Sequence, residues 1–438
     1  MSLWKLMGVS TEHRKNTATQ KPVVMPPPKS VTIPMSMHIG APAVPIVKAG
    51  QTVLVGECIA EANGFVSAPI YAGISGKVKK IDTILDSTGK NVPAVVIESD
   101  GEMTVCPDVK PPEIHSYADF TEAVRKSGIV GLGGAGFPTA VKLSVKDLSQ
   151  IQAVIINGAE CEPYITSDTR TMLDDAEWIA KGCRLLEQYM KVKKIIIGIE
   201  KNKPECVAKM QELAAADPAV TVKALPSLYP QGGEKVLIYN TTGAVVEEGK
   251  LPIDAGMIVL NCTTLASIAK YIETGMPLTH KCVTIDGSAA AHPQNVIVPI
   301  GTSAADVFEF CGGFSEEPGK VLYGGPMMGI TLSDLSAPVL KNTNALIALN
   351  RAEAAPRKTT PCIRCAGCID HCPLHLNPVA IAKALREKDC DALQKLKVNL
   401  CMECGCCSYI CPTAQPLVQN HKLAKALLRA NPKKEDKK

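Results

Sequence analysis

At the usual ~150 residues per domain, 438 residues suggest about three domains, and 46% hydrophobic residues suffice to bury several cores. Charged residues at 21% exclude a disordered chain, and no apolar run approaches the ~18 to 20 residues of a membrane-spanning helix. The net charge of +4 sits at the ends, with +4 on residues 1–30 and +5 on residues 415–438, so the body carries −5 and, with only 17 aromatics, offers nucleic acid neither a basic groove nor a stacking platform.

Residues 1–30 form a basic arm with neither the apolar core nor the cleavage site of a signal peptide, which predicts that the chain stays in the cytoplasm. Both basic ends are expected to be solvated, with acidic lipid heads or an acidic partner as the alternative contact. Residues 31–105 follow. Within them Ile46 to Ile81 is similar to biotinyl and lipoyl carrier domains, small sandwiches of hairpins with glycine turns. In those carriers a Lys follows the Glu-Ala dipeptide, whereas here Glu61-Ala62 is followed by Asn63-Gly64-Phe65. The resemblance therefore implies a barrel-sandwich fold without a prosthetic group. His38, just before it, is expected to be a structural histidine.

Residues 115–275 read as an α/β domain. Tyr117 to Lys126 is helical in pattern, and Gly131-Leu132-Gly133-Gly134-Ala135-Gly136 contains G-x-G-x-x-G without a Rossmann context, because only Ile129 and Val130 stand where a strand should be. The loop is expected to be another kind of phosphate or ring cradle, with Lys142 supplying a positive charge. Ala153 to Ile156 predicts a buried strand ending in Asn157-Gly158-Ala159-Glu160-Cys161-Glu162-Pro163, and Val192 to Ile199 a second, after a helix near Asp174 to Glu187. Tyr229 to Lys235 gives a second glycine turn opening a helix, and Met257 to Asn261 a third strand edge with an amide. Polar groups at carboxyl-terminal strand edges are where α/β sheets bind ligands.

Residues 276–340 alternate short strands (Val283 to Ile285, Val296 to Val298) with a helix from Ala304 to Phe310, without a catalytic constellation. Residues 341–438 hold ten of the 18 cysteines. Cys362, Cys365, Cys368 and Cys372 with Pro373 spell C-x2-C-x2-C-x3-C-P, and Cys401, Cys404, Cys407 and Cys411 with Pro412 repeat it 39 residues later. This is the two-cluster ferredoxin pattern, in which the fourth cysteine of each run ligates the other cluster. One [4Fe–4S] cluster is then expected on Cys362, Cys365, Cys368 and Cys411, and a second on Cys401, Cys404, Cys407 and Cys372. Two zinc sites are the alternative. Cys390 and Cys406 are read as structural. Helices predicted from Pro378 and over Asp389 to Lys397 argue for an α-helical ferredoxin domain.

The segments GLGGAGFPT, NGAECEP, YPQGGEK and NCTT resemble the flavin-site motifs of the flavin-bearing subunit of respiratory complex I. With the N-terminal sandwich and tandem clusters, the chain resembles the C-subunit family of Rnf electron transport complexes from about Pro34 to Gln419. The resemblance implies a multi-domain α/β and α+β fold with a barrel sandwich, an α/β flavin domain, a β-grasp connector and an α-helical two-cluster ferredoxin domain. It implies non-covalent FMN held by Gly133, Gly134, Gly136, Lys142, Asn157, Glu160, Gly232, Gly233 and Asn261, with Phe137, Glu162 and Glu234 facing NAD(H). Leu132 stands in place of an Arg and Cys262 in place of a second Asn, which implies a less polar flavin site.

NAD takes hydride and an iron–sulfur cluster takes single electrons, so a flavin is needed to join them. The resemblance thus implies a peripheral subunit on the cytoplasmic face of the cell membrane, receiving electrons that originate in ferredoxin through an iron–sulfur donor subunit and delivering them to NAD+. Two other readings are a corrinoid reductase and a non-enzymatic relay with a degenerate flavin site. The corrinoid reductases begin near the Gly-Ala-Gly-Phe-Pro loop and lack the N-terminal sandwich.

Overall fold

The computed structural model describes residues 8–86 and 89–431. Its N-terminal segment departs from the expected solvated arm. Val9 pairs antiparallel with Tyr229, and Val23–Val24 adds a parallel edge strand beside Val296 and Ile297. Thr17 is fully buried. Counting charge cannot reveal this, because Arg14 and Lys15 find carboxylate and carbonyl partners in the rest of the fold.

The sandwich that follows has a four-stranded sheet in the order Ser30–Pro34, Asn91–Ser99, Gly76–Leu85, Thr52–Val53, and a three-stranded one of Val44–Pro45, Cys58–Glu61 and Ile70–Tyr71. Alternation puts Val31, Ile33, Val53, Ile59, Ile70, Val95 and Ile97 inside. His38 is a structural residue, as expected: its Nε2 accepts from the Ala68 amide at 3.2 Å.

Helix Tyr117–Lys126 forms where predicted, capped by the Ser116 side chain and burying Phe120, Ala123 and Val124. The flavin-domain sheet is wholly parallel, in the order Val220–Leu225, Ile195–Glu200, Ala153–Gly158, Met257–Asn261. The three strands from Ile195–Glu200 to Met257–Asn261 are buried on both faces, as helix-covered parallel strands are, whereas the edge strand Val220–Leu225 exposes Thr221 and Lys223. Ala176–Met190 lies across Cys262–Thr274, and Gly182 permits their approach: a Cβ there would sit 2.5 Å from Leu265 Cγ. The strand order reverses between Ala153–Gly158 and Met257–Asn261, and there Asn157 and Asn261 are register partners.

The connector strands His280–Asp286 and Gln294–Pro299 and the helix Ala304–Phe310 lie where the pattern put them. The boundary at residue 340 needs correction. Ala345–Leu349 is an interior strand of the same six-stranded sheet, parallel to His280–Asp286 and antiparallel to Lys320–Tyr323. Its five buried residues belong to the connector and not to the cluster domain. A continuous apolar run of this length fits a buried strand or helix equally, so periodicity alone could not place it.

The cluster domain is helical. Pro378–Arg386, capped by Asn377, packs on Leu417–Ala430, and Cys390–Lys395 is capped by Asp389. Leu376, Ile381, Leu393, Val398, Ala424 and Leu428 form its core. Each Leu or Ile there contributes roughly 1.5–3 kcal/mol of burial. The basic tail also departs from expectation as far as residue 431: Lys425 is bound within the domain, donating to Cys401 O at 2.5 Å and Glu403 Oε1 at 2.8 Å. Residues 1–7 of the arm and 432–438 of the tail lie outside the described residues.

Candidate functional site

The two asparagines at the reversal point organise the first half of the site. Asn157 Nδ2 donates to Gly232 O at 2.9 Å, tying the first strand edge to the second glycine turn. Asn261 caps Cys262–Thr274 by accepting from the Thr264 amide, and its Nδ2 donates to Asp168 Oδ2 at 2.6 Å. The Gly133 turn lies directly on Asn261, since a Cβ on Gly133 would be 2.3 Å from Asn261 Nδ2. Lys142 donates to Glu234 Oε1 at 2.8 Å and Val259 O at 3.0 Å, which joins the first glycine segment to the helix opened by the second.

The fold therefore brings Gly133, Lys142, Asn157, Gly232, Glu234 and Asn261 to one carboxyl-terminal sheet edge. Gly133, Gly134 and Ala135 are exposed, and a Cβ on Gly134 would meet nothing within 4 Å. That open cradle fits a ligand lying close to backbone amides. Its rim is fixed from two other domains: the Ile39 amide donates to Gly136 O at 3.1 Å, and Asn342 Nδ2 to Gly134 O at 2.9 Å. Phe137 is half-buried beside it, its carbonyl closing the turn onto the Gly131 amide at 2.8 Å.

Two expected site residues point elsewhere. The Glu160 carboxylate accepts from the Asp168 and Thr169 amides at 2.6 and 3.1 Å, the start of helix Ser167–Asp174. Glu162 accepts from the amides of Met327 and Met328 at 3.0 and 2.7 Å, so both its oxygens hold a loop of the connector domain. Burial pushes the Glu162 carboxyl up to about 7. Leu132 and Cys262 are buried in the main core, so neither substitution strips a polar group from the open edge.

Comparing Gly133 with Gly134 separates fold from binding. Gly133→Ala will displace an Asn261 side chain already fixed by two bonds, at a cost of about 1–3 kcal/mol. Gly134→Ala will leave the melting temperature unchanged while weakening FMN binding, because its methyl group projects into the open cradle. Melting curves and flavin titrations of the two variants check this; equal melting temperatures would refute the Gly133 contact.

The cysteine runs repeat their backbone as well as their sequence. Arg364, Ala366 and His375 have positive φ, and so do Glu403, Gly405 and Ala414, each 39 residues on. Amides donate to sulfur at 3.4 Å in both: Arg364 to Cys362 and Leu376 to Cys372, then Glu403 to Cys401 and Gln415 to Cys411. Donors aimed at sulfur favour thiolates, which suits iron–sulfur ligation.

The fourth cysteine of the first run stands beside the second run. Cys372 lines one cavity with Cys401, Cys404 and Cys407. Burial raises the Cys368 thiol, a backbone hydrogen bond opposes it, and the neighbouring Cys411, Cys362 and Cys365 raise it further. Among the described residues no three His, Cys, Asp or Glu side chains converge as they would on one metal ion. A cubane is larger and spreads its four ligands.

The two runs differ in surroundings. Cys362, Ile363, Arg364 and Cys365 are exposed. The second run abuts the flavin domain: the Tyr229 hydroxyl donates to Cys404 O at 2.6 Å, Cys406 donates to Tyr229 O at 3.8 Å, and Met402 covers Gly233, where a Cβ would be 2.0 Å from its Cε. Cys406 is thus a buried contact with the flavin domain. Met402 and Asp168 carried no sequence signal as site residues, and Tyr229, though inside the second glycine motif, gave none of its contact with the cysteine run, because these roles depend on which elements meet.

An α/β edge built in this way, joined to two cysteine runs, defines a flavin-dependent electron-transfer protein. Residues 124–270 match the Nuo51 FMN-binding domain, 6–102 the RnfC barrel sandwich hybrid domain and 282–331 the SLBB domain. The C subunit of the Na(+)-translocating ferredoxin:NAD(+) oxidoreductase complex of Acetobacterium woodii is 42% identical over 381 residues, 86% of each chain. The proton-translocating counterpart of Clostridium ljungdahlii is 40% identical, over 90% of this chain and 86% of that one. The C subunit of the ion-translocating oxidoreductase complex of Rhodobacter capsulatus is 37% identical, over 96% and 82%. A chain of an air-oxidized NAD+-reducing [NiFe]-hydrogenase crystal structure aligns with TM-score 0.50 and 18% identity, covering 72% of this chain and 61% of that one, a likeness of fold. The chain belongs to the RnfC family, the C subunits of ion-translocating oxidoreductase complexes.

Proposed function

We propose that the chain passes electrons between a two-cluster iron–sulfur module, non-covalent FMN and NAD(H), as the peripheral C subunit of an ion-translocating ferredoxin:NAD+ oxidoreductase. The observation that carries this is the seating of the second cysteine run on the flavin-site turn, through Met402 on Gly233 and Tyr229 on Cys404. When bound, FMN exchanges hydride with NAD(H) and single electrons with the clusters.

Gly133, Gly134 and Gly136 offer backbone to the flavin, with Asn157, Asn261, Gly232 and Gly233 closing the edge beneath it. Lys142 supplies charge already shared with Glu234. Phe137 and Glu234 are assigned to the dinucleotide side. Glu160 and Glu162 are assigned to holding the loop between the sheet edge and the β-grasp domain. Cys362, Cys365, Cys368 and Cys411 are assigned to one [4Fe–4S] cluster, and Cys401, Cys404, Cys407 and Cys372 to the other. The exposed first run is the side from which an iron–sulfur donor subunit delivers electrons. No helix among the described residues is long and apolar enough to cross a membrane. Ion movement is assigned to other subunits of the complex, and this chain to the cytoplasmic face.

Acid precipitation of the purified protein is expected to release FMN into the supernatant, and the native protein to reduce an artificial acceptor with NADH. Flavin held in the pellet contradicts non-covalent binding. Bound flavin without NADH turnover favours the relay reading, although Leu132 and Cys262, the residues that suggested it, are core residues.

A further inference from the structure

The segment at residues 8–20 is a strap across three domains. Its Val9 exchanges both backbone bonds with Tyr229, at 2.8 and 3.0 Å. His13 O accepts from the Tyr164 amide at 3.0 Å, and Arg14 pairs with Glu353 at 2.5 Å. Asn16 donates to Asp286 at 3.1 Å, Thr17 O accepts from Asn295 at 3.1 Å, and Ala18 O accepts from Arg170 at 3.0 Å.

At its centre, Lys15 Nζ donates to Glu160 O at 2.8 Å, Glu162 O at 2.8 Å and Ile165 O at 2.6 Å. Three donors meet three carbonyls of one loop, which satisfies an ammonium fully. In that loop Glu160 and Tyr164, neither of them glycine, take positive φ of 44° and 69°. Such residues cost of order 1–3 kcal/mol each and persist only where surroundings over-determine them. The loop begins at the Asn157 edge of the flavin site and carries the two glutamates that hold helix Ser167–Asp174 and the connector loop.

We propose that Lys15 is a positioning residue for the flavin site: its ammonium gathers the 160–165 carbonyls and holds the loop in the conformation that shapes the FMN edge. The proposal rests on the reading of that edge as the FMN site. Without Lys15 the three carbonyls lose their shared donor, and the two left-handed residues are free to relax. The wall of the site then moves while the sheet beneath it stays.

The test is FMN binding by flavin fluorescence to the flavin-depleted full chain. Lys15→Met is expected to weaken binding about tenfold or more, ~1.4 kcal/mol, and to change the visible circular dichroism of flavin bound at saturation. Lys21→Met, which removes an exposed charge next to the strap, is expected to bind as wild type does. A folded Lys15→Met protein with wild-type affinity overturns the proposal.

Amide exchange on the wild-type chain decides the matter even if Lys15→Met does not fold. Peptides covering 8–20 and 158–168 are expected to lose protection in one common opening. A 158–168 peptide still protected in molecules whose 8–20 segment has exchanged overturns the proposal. A wild-type chain that binds no FMN defeats the flavin reading instead, and the exchange experiment still reports on the strap.

Discussion

Serine in place of Cys372 will damage the same paramagnetic centre as serine in place of Cys401, and Cys411→Ser the same one as Cys365→Ser. Linear sequence suggests the opposite grouping, since Cys372 is four residues from Cys368 and 29 from Cys401. The fold turns it around: Cys372 shares its cavity with Cys401, Cys404 and Cys407. The Leu376 amide donates to its sulfur, as the Gln415 amide does to Cys411. Paramagnetic resonance of the reduced variants reads the result as loss or conversion of one of two signals. If Cys372→Ser and Cys365→Ser alter one signal while Cys401→Ser alters the other, each run closes on its own cluster and the crossed arrangement is wrong.

Legibility from sequence followed the range of the interactions. Helix Tyr117–Lys126 and strand Met257–Asn261 were readable to the residue, because their signals are local: a helical pattern in one, a five-residue run ending in an amide in the other. The register that places Asn157 beside Asn261 was not readable, since it depends on strand order. The motif resemblance placed Glu160 and Glu162 at the site, but their carboxylates are engaged by amides of Thr169 and Met328 that sequence spacing cannot bring near. The N-terminal strap was hidden for the same reason. Lys15 in a basic stretch looks like any solvated lysine until three carbonyls of a distant loop surround it.

The connector to the cluster domain holds a fully buried lysine, whose titration is the other large effect. Lys341 is completely buried, and its Nζ donates to Pro69 O at 2.6 Å and Gly128 O at 2.7 Å, linking the sandwich to the start of the flavin domain. Its neighbour Asn342 holds the Gly134 turn. Two acceptors match the two N–H bonds of a neutral amine and leave the third proton of an ammonium without a partner. Burial accordingly pulls Lys341 down from 10.5 to about 7.

The folded value lies below the unfolded one, so between about pH 7 and 10.5 the unfolded chain binds more protons and stability rises with pH. At ~1.36 kcal/mol per unit the gain from this group is of order 4–5 kcal/mol across that window. Lys341→Met has no such gain. Calorimetric scans at one rate, at pH 7 and pH 9.5, will therefore show the wild type strengthening relative to Lys341→Met, with their difference changing by several kcal/mol. Parallel behaviour of the two proteins would mean that Lys341 keeps its proton in the folded state, and that something other than two carbonyls satisfies it.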